Sequence, residues 1–347
     1  MIKAIDFFCG AGGLTRGLLN AGIRVLAGVD NDETLRETYE KNNKPSRFIC
    51  RDIKKIDIDL LRQALGITNQ DVVLYAACTP CQPFSTLTRM KGRDGRKHLL
   101  IEFAKLVQQA PPDYILVENV PGLNTAYGRN IYKKFKRMIS RRGFKRTYSG
   151  MLDAKNYGVP QIRKRFILLA SRVGEIKQPR QRRGGTVRDC IAKYPPIRAG
   201  GKSKRLLNHE ARALMPHLKK IIRGIPKDGG SRSDITDESV LLKCHRDKPT
   251  VHKDVFGRMA WDEPAPTLTC RCTDVYCGRF THPEQNRGLS LREAAALQTF
   301  PDSYEFSGDS ILQIARQIGN AVPVKLAERL GSAIVRSAIH NKERRRA

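Results

Sequence analysis

The stretch MIKAIDFFCGAGGLTRGLLNAGIRVLAGVD puts an apolar run, a glycine-rich turn, a helix stopping at Gly22 and a second apolar run in immediate succession. Few folds accept that order. "IKAIDFF" and "IRVLAGVD" read as short buried strands, and "GLTRGLLNAG" as the helix crossing between them. The pattern then repeats. "DETLRETYEKN" is an amphipathic helix, "DVVLYAA" (71–77), "DYILVEN" (113–119) and "RFILLAS" (165–171) are further strands, and helices are expected at about 99–109 and 130–141. Apolar, β-branched strands spaced by helices predict an α/β fold with a parallel sheet covered on both faces.

The character changes after about residue 174. "KQPRQRRGGTVRDC", "YPPIRAGGKSKR" and "IPKDGGSRSD" are rich in Gly, Pro, Arg and Ser, with little clear periodicity. "LLKCHRDKPTVHKDVFGRMAW" carries enough apolar residues to fold, so an irregular smaller domain is expected rather than disorder. Order returns at "SLREAAALQTF", where Ser290 is placed as an N-cap with Glu293 as its capping-box partner. A last helix, "VPVKLAERLGSAIVRSAI", precedes a basic tail. The expected division is 1–175 plus 311–347 for the larger domain and 176–310 for the smaller.

The 347 residues carry 64 Lys+Arg against 34 Asp+Glu, a formal charge of +30. A chain this basic is built to meet a polyanion, because phosphate contacts release counterions and drive association. Charge alone does not separate DNA from RNA. No run approaches the length of a membrane span, and the first residues lack a signal peptide's basic start and apolar core. A cytosolic, nucleic-acid-binding protein is therefore expected, with its nine cysteines as thiols.

In "DFFCGAGGLTRGL", Gly10, Gly12 and Gly13 let backbone N–H groups approach a ligand. The dinucleotide fingerprint needs glycine again where Thr15 stands, so the oxidoreductase pattern fails. Asp30 ends the second strand about twenty residues on, where an acid accepts ribose hydroxyls. Asp52 in "CRDI" occupies another strand end, suited to an adenine amino group. Together they indicate a nucleoside-bearing ligand without saying which.

"TPCQPFS" holds Cys81 just beyond the strand "DVVLYAA", at the carboxyl edge of the sheet. Three readings compete. Buried structural cysteine is the commonest, but this segment is polar and braced by prolines. Cys78 and Cys81 form C-x-x-C, yet no second ligand pair with zinc spacing accompanies them, and no metal is expected. A nucleophile needs an activated thiolate and an acid partner. Glu118 in "ILVENV" closes another apolar strand on the same rim and is that acid. In "QIRKRF", Arg163 and Arg165 alternate at a spacing of two and share one face of an extended segment, able to hold an anion or steady a carboxylate.

With these residues assembled, the chain resembles the C5-cytosine-specific DNA methyltransferases of bacteria and phage, nearly end to end. "DFFCGAGG" is similar to that family's cofactor loop, "TPCQPFS" to its nucleophile motif, "ENV" to its glutamate motif and "QIRKR" to its arginine motif. "REAAALQTFPD" and "QIGNAVPVKLA" follow as the two later blocks, in the same order. The resemblance implies a Rossmann-like S-adenosylmethionine-dependent methyltransferase sheet with a target-recognition domain. It implies Cys81 as the nucleophile attacking cytosine C6, Glu118 at N3, and Arg163 and Arg165 supporting the base and the glutamate. S-adenosylmethionine would be held by Phe8, Gly10, Gly12, Asp30, Asp52, Ile53, Asn320 and Val322. Duplex DNA would meet Ser85, Arg89, Arg96 and Lys97 in the basic loop after the cysteine, and Thr267 in "PAPTLT". The target base would be rotated out of the stack.

Further expectations are a monomer and a bacterial cytoplasmic enzyme associated with the nucleoid through DNA, either the modification enzyme of a restriction–modification system, with a cognate restriction endonuclease as functional partner, or a solitary methylase. Rival readings keep some of these features. A branch of the family methylates transfer RNA. "PPDY" at 111–114 superficially resembles an amino-methyltransferase signature, but its acid follows the prolines. A binding module without catalysis would not need Cys81 and Glu118.

Overall fold

The computed structural model describes residues 1–79, 98–125, 128–247 and 251–344. Cys81, Ser85, Arg89, Arg96 and Lys97 lie outside the described residues. The chain forms two compact units. The first comprises 1–157, 164–182 and 322–347, the second 158–163 and 183–321.

The first unit is built on seven strands: β1 (Ile2–Phe7), β2 (Arg24–Asp30), β3 (Arg47–Cys50), β4 (Val72–Cys78), β5 (Tyr114–Asn119), β6 (Arg146–Asp153) and β7 (Lys164–Ser171). Their order is β3-β2-β1-β4-β5-β7-β6. The first five run parallel, whereas β7 lies antiparallel between β5 and β6. The sheet is therefore mixed, which corrects the expectation of a wholly parallel one. "RFILLAS" is a strand as expected, with reversed direction. Its outer neighbour β6 has no apolar run, because an edge strand with one solvated face reads as the mixed segment "RTYSGMLD".

Helices α1 (Gly13–Asn20), α2 (Arg36–Asn42), α3 (Ile58–Ala64), α4 (Leu99–Gln109) and α5 (Arg129–Ser140) alternate with the strands, and α11 (Val324–Arg344) rejoins this unit. Strand side chains alternate between faces. Phe7, Tyr75 and Val117 point to the α3–α5 side, where Phe7 meets Phe103 at 5.5 Å and Phe103 stacks on Phe135 at 6.3 Å. On the opposite side α11 lies on α1. A Cβ on Gly17 would stand 2.3 Å from that of Ala327, so only glycine permits the approach. None of the described helices is long and apolar enough to cross a membrane.

The second unit carries α6 (Val187–Ile191), α7 (Pro216–Gly224), α8 (Lys243–Asp247), α9 (Leu291–Leu297) and α10 (Ile311–Asn320) within long irregular segments. Its apolar centre gathers Leu218, Ile221, Ile222, Ile235, Phe256 and Val275. Irregular backbone leaves many carbonyls without ladder partners. Buried arginines supply them: Arg258 donates to the carbonyls of Ile222, Ile225, His282 and Gln285, and Arg292 to those of Leu207, Pro301 and Tyr304. Arg287 is fully buried against both carboxylate oxygens of Glu293, at 2.7 Å each. The expected capping box at Ser290 and Glu293 is present.

Candidate active site

Parallel pairing aligns the strand ends. Phe7 stands opposite Ala77, Asp30 opposite Cys50, and Cys78 opposite Glu118, so the carboxyl ends of β1 to β5 make one rim. Open α/β sheets bind ligands along this edge.

At β1 the chain turns sharply. Phe8 has φ 60, Gly10 φ 53 and Gly12 φ 85. Left-handed backbone is cheap at the glycines, but at Phe8 it is strain of the kind that collects at ligand sites. Among the described residues, a Cβ on Gly10 would meet no atom within 4 Å, and no side chain caps α1. Asp30 holds the turn: Oδ2 accepts from the Gly10 N–H at 3.0 Å, and Oδ1 from the N–H groups of Asn31 (2.8 Å) and Asp32 (3.2 Å). Burial raises its pKa above the usual carboxylate range. Asp52 caps the turn at Ile53–Lys55 through the Lys54 N–H, and Ile53 is buried in the core. A glycine turn beside the acids Asp30 and Asp52 at the sheet's carboxyl edge fits a nucleoside-bearing ligand. Of the remaining cofactor candidates, Asn320 is the exposed last residue of α10 in the second unit, and Val322 is buried in the first, just before α11.

Beneath the turn, sequence reasoning missed Asp6. It is fully buried on β1, and its Oδ2 accepts from Thr15 Oγ1 at 2.7 Å. Thr15 is also bonded to Tyr39 (2.9 Å), which reaches Ser46 (2.8 Å). Asp6 Oδ1 has no partner among the described residues. Burial pushes the Asp6 pKa up to about 7, with Thr15 opposing. The neighbouring Cys9 thiol is pushed well up by burial and by Asp30 and Asp6.

Glu118, the penultimate residue of β5, is buried, a position no charged side chain takes without partners. Arg165 on β7 supplies one, its Nε 3.0 Å from Oε1. Cys78 donates its thiol hydrogen to Oε2 at 2.9 Å. Arg165 and Glu118 thus form an ion pair, and Cys78 has a contact the sequence left unassigned. Only the in-register pairing of β4 and β5 reveals it. Asn119, also unassigned, donates through Nδ2 to Thr79 Oγ1 at 2.5 Å and accepts the Val120 N–H at 2.8 Å. Thr79 stands two positions before Cys81 in the sequence, so Asn119 ties the glutamate strand to the start of the cysteine segment.

Arg163 takes a different position. Buried in the second unit, its guanidinium donates to the carbonyls of Leu268 (2.8 Å), Gly319 (3.1 Å) and Ala321 (3.2 Å). Gln161 accepts the Leu268 N–H and donates to Gln298, which binds the carbonyls of Ile318 and Ala321. Arg163 thereby knits "PAPTLT" to "GNAV". Thr267 is exposed, with its hydroxyl donating to the Ile162 carbonyl at 2.7 Å.

Residues 2–336 match the family of C-5 cytosine-specific DNA methylases. The chain belongs to that family. It is similar to the Type II methylase M.HgiDII of Herpetosiphon aurantiacus, 40% identical over 98% of this chain and 97% of that one. The Type II methyltransferase M1.HphI of Haemophilus parahaemolyticus is 31% identical over 96% and 86%. Among solved structures, a putative DNA modification methyltransferase encoded within an E. coli prophage superimposes with a TM-score of 0.77, at 21% identity over 97% of this chain and 99% of the other. That likeness concerns the fold. Methylation of cytosine C5 in DNA is the activity class of this methylase, and its mixed seven-stranded sheet is that of the family.

Proposed function

We propose that this methylase transfers a methyl group from S-adenosylmethionine to C5 of a cytosine rotated out of duplex DNA, through a covalent bond between Cys81 Sγ and C6. One observation carries the reading: a buried carboxylate, Glu118, stands beside Cys78 near the end of its strand and is fastened by Arg165 while Asn119 anchors Thr79.

C5 of cytosine is too weak a nucleophile to accept a methyl group unaided. The Cys81 thiolate forms an S–C6 bond, and the displaced electrons reach N3, leaving C5 an enamine carbon. Glu118 hydrogen-bonds N3 and carries its proton, held in place by the Arg165 guanidinium. C5 would then take the methyl group as the methyl–sulfonium bond breaks and its electron pair stays on sulfur, giving a neutral thioether. C5 loses its proton to a base, and breaking of the S–C6 bond restores the ring and the thiolate. S-adenosylmethionine, when bound, supplies an electrophilic methyl on a sulfonium. Gly10, Gly12 and the strained Phe8 would hold its amino-acid end, Asp30 its ribose hydroxyls and Asp52 with Ile53 its adenine; Asn320 and Val322 are assigned to the same ligand. Arg163 supports the reaction by positioning backbone rather than by touching the base. Ser85, Arg89, Arg96, Lys97 and Thr267 are assigned to the DNA.

The naming of the relatives as Type II enzymes supports a modification role in a restriction–modification system over a solitary methylase. A cognate endonuclease as functional partner and a monomeric methylase are part of the same proposal. Duplex DNA is expected to accept labelled methyl, and Cys81→Ser to abolish transfer. Duplex carrying 5-fluorocytosine at the target is expected to trap a covalent adduct at Cys81. Undiminished transfer by the serine variant would end the nucleophile assignment, and preference for transfer RNA offered alongside would change the substrate.

A further inference from the structure

We propose that a basic cleft in the second unit seats the sugar–phosphate backbone of duplex DNA, a docking subsite separate from the residues given to catalysis. The inference rests on the DNA-methylase reading. The cleft encloses about 610 Å³ between residues 196–199, α7 and the loop 284–287. Arg198, Lys219, Arg223 and Lys227 line it, all exposed, and none forms an ion pair among the described residues. Four unpaired cations around one depression repel each other, and an anion laid among them converts that cost into attraction.

The charges are arranged for a chain rather than a single ion. Lys219 and Arg223 stand one turn apart on α7, a rise of about 6 Å, with Lys227 continuing beyond the helix end. Successive phosphates of one strand are spaced comparably. Among the described residues no aromatic side chain lines the cleft, so none there stacks a base as a free nucleotide would require. The acid in the lining, Glu284, accepts a hydrogen bond from Trp261 Nε1 at 3.0 Å.

Its walls are also fixed in advance. Arg258 bonds the carbonyls of Ile222 and Ile225 at the end of α7 and those of His282 and Gln285 in the loop. Gln285 Oε1 accepts from the Ile197 N–H (3.1 Å) and Arg287 Nε (2.9 Å), and Arg287 Nε also donates to the Ile197 carbonyl (3.1 Å). The three walls are thus tied to one another by buried guanidinium groups, and little ordering remains to be done on binding. Phosphate contacts made here position the duplex and carry no base information.

The test compares the full-length enzyme with K219Q/R223Q/K227Q and with K133Q/K134Q/R137Q, an equal loss of charge on the exposed face of α5. Titrations over a salt series are run on duplexes with and without the methylated sequence. The cleft variant is expected to bind both duplexes roughly ten- to hundredfold more weakly at 0.15 M salt, with the log–log salt slope reduced by about 0.9 per lost contact. The α5 variant is expected to match wild type. Unchanged affinity and slope in the cleft variant would overturn the proposal, as would a loss confined to the methylated sequence. If wild-type enzyme methylates no duplex, the function itself fails, and the subsite with it; the wild-type arm separates the two failures.

Discussion

Glu118 is a carboxylate gripped from two sides, by the Arg165 guanidinium and the Cys78 thiol. Glu118→Gln keeps the shape but cannot carry a proton at N3, and kcat is expected to fall about 10²- to 10⁴-fold. Single-turnover methyl transfer checks this; a loss under tenfold would remove Glu118 from the chemistry. Asn119 offers a separate prediction, because it touches the cysteine segment through Thr79 rather than the reacting base. Asn119→Ala removes that tether, and misplacement by about 1 Å costs on the order of 10²-fold in rate. Covalent trapping on 5-fluorocytosine duplex should slow while noncovalent affinity for DNA holds. Equal losses in both would make Asn119 merely structural. The glutamate was legible in the sequence, as a charged residue closing an apolar strand. Asn119 and Cys78 were not, because their roles depend on which strand lies alongside and in what register.

Among the elements, α1 and α11 show how sequence-distant segments commit to each other through a missing side chain. Gly17 sits against the Val324 carbonyl and Ala327, with no room for a Cβ. Gly17→Val forces the helices apart, and about 1–3 kcal/mol of stability is expected to be lost, read as a lowered urea midpoint. An unchanged midpoint would mean that α11 shifts without penalty. Strand–helix alternation and the capping box at Ser290 were legible because each is a local pattern, of period 2, period 3.6 or a fixed three-residue spacing. The reversal of β7 was not, since an antiparallel and a parallel buried strand share the same apolar run. Edge strand β6 escaped notice because its exposed face dilutes the pattern, and α7 because it lies in a stretch read as irregular. Arg163 illustrates the remaining gap: spacing placed it on a face with Arg165, whereas its donors meet the carbonyls of two motifs more than 100 residues away.

At the scale of the molecule, the charge of +30 has two destinations. Some cations face solvent, as in the cleft, whereas Arg163, Arg258, Arg287 and Arg292 are spent inside the second unit on backbone and Glu293. Composition alone cannot divide them, because a buried arginine and a DNA-binding one count equally. Burial also shifts two titrations in opposite directions, one in each unit. In the first, Asp6 has its pKa raised by burial from 3.8 to about 7. The folded state there binds a proton that the unfolded chain has lost, so this contribution is full below pH 3.8 and is lost as pH rises through 7. Asp6→Asn mimics the neutral acid, and its stability advantage over wild type should grow between pH 4 and 7 and level off above. In the second unit, burial lowers the His282 pKa from 6.5 to about 4. Its Nδ1 accepts the N–H groups of Glu284 and Gln285, each at 3.1 Å, which requires the neutral ring. That contribution is full above pH 6.5 and is lost as pH falls through 4. Hydrogen exchange of residues 282–287 is therefore expected to accelerate as pH falls through this window, after correction for the intrinsic rate. An NMR titration of His282 with a midpoint near 6.5 would show that the ring is not held neutral and would remove the basis for that loss.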